Sequence, residues 1–184
     1  MAVGFSPDGR FGYVVGRNSN NLIILDALTA ADDPENSIVG FVKVGNKPVA
    51  LAVGVGGALV YVANRNDDSV SVVDVSDPEA PVVLTEIPTG KKPQGAAILP
   101  DGSKLYVTNN KDNTVSVFEV QFAPTFLDLI GTIPVGKKPT GIAVTKEGSV
   151  PGGESVYVAN HKDGTVSVIE AATDEVIAAI PVGK

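Results

Sequence analysis

The chain has 184 residues, 43% apolar and 19% charged, a balance that can bury a core and excludes disorder. Its 14 basic and 21 acidic residues leave a net charge of −7, which argues against generic nucleic-acid binding. The absence of Cys and the presence of a single His, His161, exclude thiol catalysis, disulfides, Cys-ligated zinc and any multi-His metal site within the chain.

In chain order, four phrases open on the only tyrosines: Tyr13-Val-Val-Gly, Tyr61-Val-Ala-Asn, Tyr106-Val-Thr-Asn and Tyr157-Val-Ala-Asn. Thirteen residues after each Tyr an acid closes an apolar run: Asp26, Asp74, Glu119 and Glu170. A third phrase, rich in Gly and Lys, then leads to Pro48, Pro93 and Pro139, and recurs at the end as far as Lys184. Dividing after each Pro gives repeats 1–48, 49–93, 94–139 and 140–184. Each holds four short β-branched runs, A to D, separated by turn signals and too short for helices. In the third repeat these are Gly95 to Leu99, Lys104 to Thr108, Thr114 to Val120 and Leu129 to Pro134. Pro134 suits an outer strand, because Pro cannot donate to a central ladder.

Four-stranded units of ~40–45 residues in tandem predict an all-β fold, a β-propeller of four tandem antiparallel blades. The phrases resemble the YVTN-type β-propeller repeat of surface-layer and other secreted microbial proteins. YVTN itself stands at Tyr106-Val107-Thr108-Asn109, with YVAN at Tyr61 and Tyr157. The resemblance covers all four repeats, with Gly16 in the first where the others have Asn. It implies an extracellular, cell-surface or periplasmic location.

The motif residues themselves read as structural: the tyrosines as packed side chains, Asn64, Asn109 and Asn160 as partners of turn backbone, and the four acids as strand ends. Consecutive turns of a meander alternate between ends, so the B–C and D–A turns share one end of the strands. The Tyr-to-acid spacing is thirteen residues in every repeat, so the B–C hairpin keeps its length. The opposite end varies, with five inserted residues, Ser149 to Gly153, in the last A–B turn.

Charge divides the same way. The B–C and D–A turns carry ten basic residues against four acids, Asp67, Asp68, Asp112 and Asp163. Nine of the ten, Arg17, Lys47, Arg65, Lys91, Lys92, Lys111, Lys137, Lys138 and Lys162, join His161 as candidate anion- or partner-binding residues; the tenth is Lys184.

Neither a GxSxG nucleophile turn nor a phosphate loop is present. The expectation is therefore a non-enzymatic binding or scaffold propeller, with no catalytic residues, metal or cofactor. It would engage a protein or an acidic polysaccharide through the basic turns. The alternative is the propeller part of a lactonase-like or redox enzyme whose catalytic groups lie partly elsewhere. No apolar run approaches the ~20 residues of a membrane helix, and Met1-Ala-Val-Gly-Phe shows no signal-peptide pattern. Propeller blades bury both faces against neighbours, so self-association or further blades are expected to complete a ring.

Overall fold

The computed structural model describes residues 1–121, 126–145 and 153–183. They form four antiparallel four-stranded sheets, consistent with a β-propeller. The first sheet holds β1 (Ala2–Phe5), β2 (Phe11–Gly16), β3 (Asn21–Asp26) and β4 (Ile38–Lys43). The second holds β5 (Pro48–Val53), β6 (Leu59–Asn64), β7 (Ser69–Asp74) and β8 (Val82–Pro88). The third holds β9 (Pro93–Ile98), β10 (Lys104–Asn109), β11 (Thr114–Val120) and β12 (Leu127–Pro134). The fourth holds β13 (Pro139–Val144), β14 (Ser155–Asn160), β15 (Thr165–Glu170) and β16 (Glu175–Pro181). Strands pair in sequence order within every sheet. Two compact units result, residues 1–88 and 89–184, each carrying two sheets.

In the third sheet, the strand read from Thr114 to Val120 is observed with those bounds. Strand A begins earlier, at Pro93, and strand D at Leu127. Pro93 has no N–H, but at the first position of a strand it still contributes its carbonyl and backbone direction. A short helix, α1 (Ala27–Asp32), follows β3. Asp26 caps it by accepting from the Leu28 and Thr29 N–H groups at 2.9 and 3.0 Å, so this acid starts a helix as well as ending a strand. Of the inserted A–B turn, Ser149 to Gly152 lie outside the described residues.

Each unit has its own apolar core. In residues 1–88 it joins Tyr13, Val15, Leu22 and Ile24 of the first sheet to Val60, Val62 and Val73 of the second. In residues 89–184, Tyr106, Val115 and Val117 pack with Val156, Val158 and Ile169. Strands B and C supply these residues because a middle strand presents its side chains to neighbouring sheets rather than to water. Tyr13, Tyr61 and Tyr106 are buried, whereas Tyr157 is 36% exposed. All seven residues of β16 are exposed. In all four sheets the pairing of strands C and D shifts register once, as at Val117/Phe118 and Val168/Ile169.

The Tyr106 hydroxyl donates to Asp174 Oδ1 at 2.7 Å, and Lys104 Nζ donates to Asp174 Oδ2 at 2.7 Å and to the Ala171 carbonyl at 2.8 Å. Burial and the adjacent Asp174 carboxylate push the Tyr106 ionisation well above its usual range, so the fold keeps the phenol protonated. A group whose ionisation is raised by folding stabilises fully below its unfolded value of 10.0, and that stability is lost as pH climbs from there. Tyr106→Phe is expected to cost about 2 kcal/mol, because a hydrogen bond to a charged group is lost. Tyr157→Phe should stay within about 0.5 kcal/mol, as expected of an exposed site. Urea unfolding at neutral pH tests both values. Repeated above pH 10, the wild-type midpoint should fall more steeply than that of Tyr106→Phe.

Candidate functional site: the basic turns

Each D–A loop enters its sheet through a residue of left-handed backbone immediately before Pro: Lys47, Lys92 and Lys138, with φ of 56°, 57° and 52°. Few non-glycine residues adopt this conformation, and contacts with the B–C turn of the sheet being entered hold it in place. Lys47 O accepts from Arg65 N at 3.0 Å, and Asn46 O from Asn66 N at 3.1 Å. In residues 89–184 the same pair of bonds joins Lys92 O to Asn110 N and Lys91 O to Lys111 N. It recurs from Lys138 O to His161 N and from Lys137 O to Lys162 N.

A carboxylate closes each clasp. Asp67 accepts from Asn46 N at 2.6 Å, Asp112 from Lys91 N at 2.7 Å and Asp163 from Lys137 N at 2.7 Å. The preceding sheet adds an Asn at two of these loops: Asn20 accepts from Lys47 N and Asn113 from Lys138 N, both at 2.9 Å. These acids stand six residues after Tyr61, Tyr106 and Tyr157. That fixed place was the signal for their role, although their charge alone suggests only a wet turn.

Beneath each loop lies a buried Asn. Asn109 Nδ2 donates to Thr114 Oγ1 at 3.0 Å and to Ser116 Oγ at 2.9 Å. Asn64 and Asn160 repeat the arrangement on Ser69 and Ser71 and on Thr165 and Ser167. The expectation that these side chains bind turn backbone is thus corrected: their amides reach hydroxyls of strand C. Gly90 packs so closely on Asn109 that an added Cβ would lie 2.6 Å from its Cγ, so the loop requires glycine at this close approach.

The clasps bring like charges together. Lys47 sits beside Arg65, Lys91 beside Lys111, Lys137 beside Lys162, and Lys138 beside His161. Arg17 and Lys47 share the rim of a cleft of about 650 Å³ with Met1, Asn18 and Ser19. Arg17, Lys91, Lys111, Lys137, Lys138, His161 and Lys162 are exposed, and Lys47, Arg65 and Lys92 half-buried. Lys184 lies outside the described residues. Because Asp67, Asp112 and Asp163 accept from backbone N–H groups, their carboxylates are committed to the clasp, while Arg17, Lys91, Lys111, Lys137, Lys138 and Lys162 are exposed. The arrangement favours a bound or passing anion. Among the described residues no three His, Cys, Asp or Glu side chains cluster to hold a metal ion.

Four such sheets define a propeller protein. The sequence pattern of the family described as Lactonase, 7-bladed beta-propeller, matches residues 82–176, just over half of the chain, and the chain belongs to that family. No curated protein matches it.

Among solved structures, Kuenenia stuttgartiensis hydrazine synthase is similar at 25% identity and a TM-score of 0.79, over 97% of this chain and 48% of that one. The periplasmic gluconolactonase of Pseudomonas aeruginosa is similar at 22% identity and 0.78, over 98% and 53%. A putative 6-phosphogluconolactonase from Bacteroides fragilis is similar at 20% identity and 0.80, over 99% and 55%. The chain therefore spans about half the length of these proteins.

The family match overturns three expectations. The chain is placed with lactonase propellers rather than with the YVTN-type repeat. The non-enzymatic scaffold reading gives way to an enzyme family, in line with the lactonase-like alternative, and the cell-surface scaffold role goes with it. The physical reason is visible in the clasp: the YVTN phrase sets strand B and its buried Asn, which report how a blade is built. The lack of a Cys or multi-His constellation excludes particular catalytic groups, not catalysis.

The clasp can be tested against its charges. Asp112→Ala is expected to cost about 1–2 kcal/mol, since a backbone donor loses its charged acceptor. Lys91→Gln should change stability by less than about 0.5 kcal/mol, as an exposed charge contributes little. Urea denaturation of the two variants separates them, and equal costs would contradict the assignment of the carboxylate as the structural partner.

Proposed function

We propose that the chain supplies blades of a lactonase-type propeller that hydrolyses a sugar lactone. The match of residues 82–176 to the lactonase propeller family carries this reading, and the gluconolactonase names among the structural neighbours support it. Hydrolysis adds water to the lactone carbonyl, passes through an oxyanion and ends as a hydroxy-carboxylate. Negative charge therefore develops along the reaction, and a basic surface favours it and draws in anionic substrates. The exposed Lys91, Lys111, Lys137 and Lys162 would supply that field. The P. aeruginosa neighbour is periplasmic by name, and we place this chain in the same compartment.

The family description names seven blades, and the described residues form four sheets. Further blades, from a longer chain or a second copy, belong to the proposal: they would cover Tyr157 as the fourth sheet covers Tyr106.

Acid release from δ-gluconolactone, followed by pH-stat against the spontaneous rate, tests the activity. Acceleration by the chain, in whatever assembly it adopts in solution, is expected. Replacing Lys91, Lys92, Lys137 and Lys138 with Gln should raise KM for 6-phosphogluconolactone more than for gluconolactone. The gap should shrink as salt rises, because exposed charges farther apart than ~8–10 Å are screened at physiological ionic strength. Acid release no faster than the blank would refute the lactonase reading.

A further inference from the structure

The two blade pairs differ beside the strand-B tyrosine, at the opposite end of the strands from the basic turns. In residues 89–184, Lys104 stands two residues before Tyr106, and Asp174 four residues after the strand-C acid Glu170. Together they occupy the space next to the tyrosine hydroxyl. In residues 1–88 the same two repeat positions hold Phe11 and Pro78. Neither side chain can hydrogen-bond a phenol. A cleft of about 370 Å³ at this junction is lined by Tyr13, whereas Tyr106 is not in the lining of the corresponding cleft of about 480 Å³ in residues 89–184, which Leu99, Asp101, Lys104 and Glu154 line.

Tyr13, Asp8, Phe11, Ser6, Ser76 and Pro78 are among its lining residues. Tyr13 is 2% exposed, and its hydroxyl has no hydrogen-bond partner among the described residues. Ser6 is 8% exposed; it donates to Asp8 Oδ1 at 2.5 Å and accepts from Phe11 N at 2.9 Å. The Arg10 N–H also donates to Asp8 Oδ1, at 3.0 Å, which leaves Oδ2 as the acceptor for a ligand. Arg10 stacks over Phe11 at 5.0 Å from the ring centroid and lies 3.7 Å from Asp26, so the ring is held in place.

We propose that this cleft binds a neutral, pyranose-sized sugar. Phe11 and Pro78 would lie against its C–H face, Asp8 Oδ2 would accept from its hydroxyls, and the Tyr13 hydroxyl would pair with a ring substituent. The volume lies at the small end of small-molecule clefts, roughly 300–1,000 Å³, which are mostly apolar with a few convergent polar groups. Asp8 is the one ionised group in the lining, and Arg10, the cation beside it, is paired with Asp26, so an anionic ligand would meet a like charge first. This selects against the sugar acids and phosphates that the basic turns favour. The site is independent of the lactonase reading.

Saturation-transfer NMR on the whole chain, with methyl β-D-glucopyranoside and methyl α-D-mannopyranoside as probes and gluconate as the anionic comparison, tests the proposal. Transfer to at least one neutral pyranoside is expected, with gluconate weaker. Tyr13→Phe should weaken binding about tenfold, the cost of losing a hydrogen bond to a desolvated partner, and Tyr157→Phe should leave it unchanged. Pro78→Asp places a carboxylate beside Tyr13 as Asp174 stands beside Tyr106, and should abolish binding while raising the melting temperature. That variant remains informative if Tyr13→Phe fails to fold. The proposal is wrong if neither pyranoside shows transfer at about 20 mM, a concentration that detects even millimolar affinity. It is equally wrong if gluconate binds as well, or if binding survives Pro78→Asp.

Discussion

Each loop that enters a sheet arrives with backbone groups that no strand can pair, and the second turn of that sheet takes them. Asp112 accepts from Lys91 N, and Lys91 O and Lys92 O accept from the turn that carries Asp112. Without this clasp, the left-handed backbone at Lys92 would have nothing to hold it, and the strand opened by Pro93 would lose its direction. The constant length of the B–C hairpin follows from the same constraint, because one more residue would carry the carboxylate out of reach of the loop. The basic character of these turns follows as well. With Asp67, Asp112 and Asp163 bound to backbone, the exposed Arg17, Lys91, Lys111, Lys137, Lys138 and Lys162 set the sign of this end.

The second organising feature is the apolar contact of strands B and C with the next sheet. It is repeated, with a tyrosine in it each time, and each repetition has to close around a phenol that burial keeps neutral. Between Tyr106 and Asp174 it closes by hydrogen bond and ion pair; around Tyr13 it leaves a cleft. One repeated geometry thus leaves a cleft at the same junction of both blade pairs, but only in residues 1–88 does the strand-B tyrosine line it, because Lys104 and Asp174 engage Tyr106 where the first pair has Phe11 and Pro78.

Much of this architecture is legible in the sequence, because the strand-forming runs and the turn residues recur in step. Strand C of the third sheet could be bounded to the residue, since Asn113 and the β-branched run after it mark its start. Strands A and D were less well bounded, because Pro93 resembles a break until its place at the head of a ladder is known. Helix α1 was hidden by the repeat itself, as Asp26 aligns with acids that only end strands. The site was harder to read for a related reason. Repeats display what all blades share, and what all blades share is structural. Membership in a lactonase family is spread across the pattern of residues 82–176 and rests on no single catalytic phrase, while the cleft at Tyr13 appears only when two repeats are compared where they disagree.

The register shift between strands C and D has a colloidal consequence. An outermost strand with apolar side chains, such as β16 with Val176, Ile177 and Ile180 exposed, offers open backbone groups to any passing strand and is a ready template for fibril-like stacking. A bulge at the same register in every sheet, Val168/Ile169 in this one, twists that edge away from the flat geometry stacking needs. Pro181 withholds a donor at its end. Straightening the bulge by deleting one residue of β16 would keep the sheet paired and turn a soluble edge into an adhesive one.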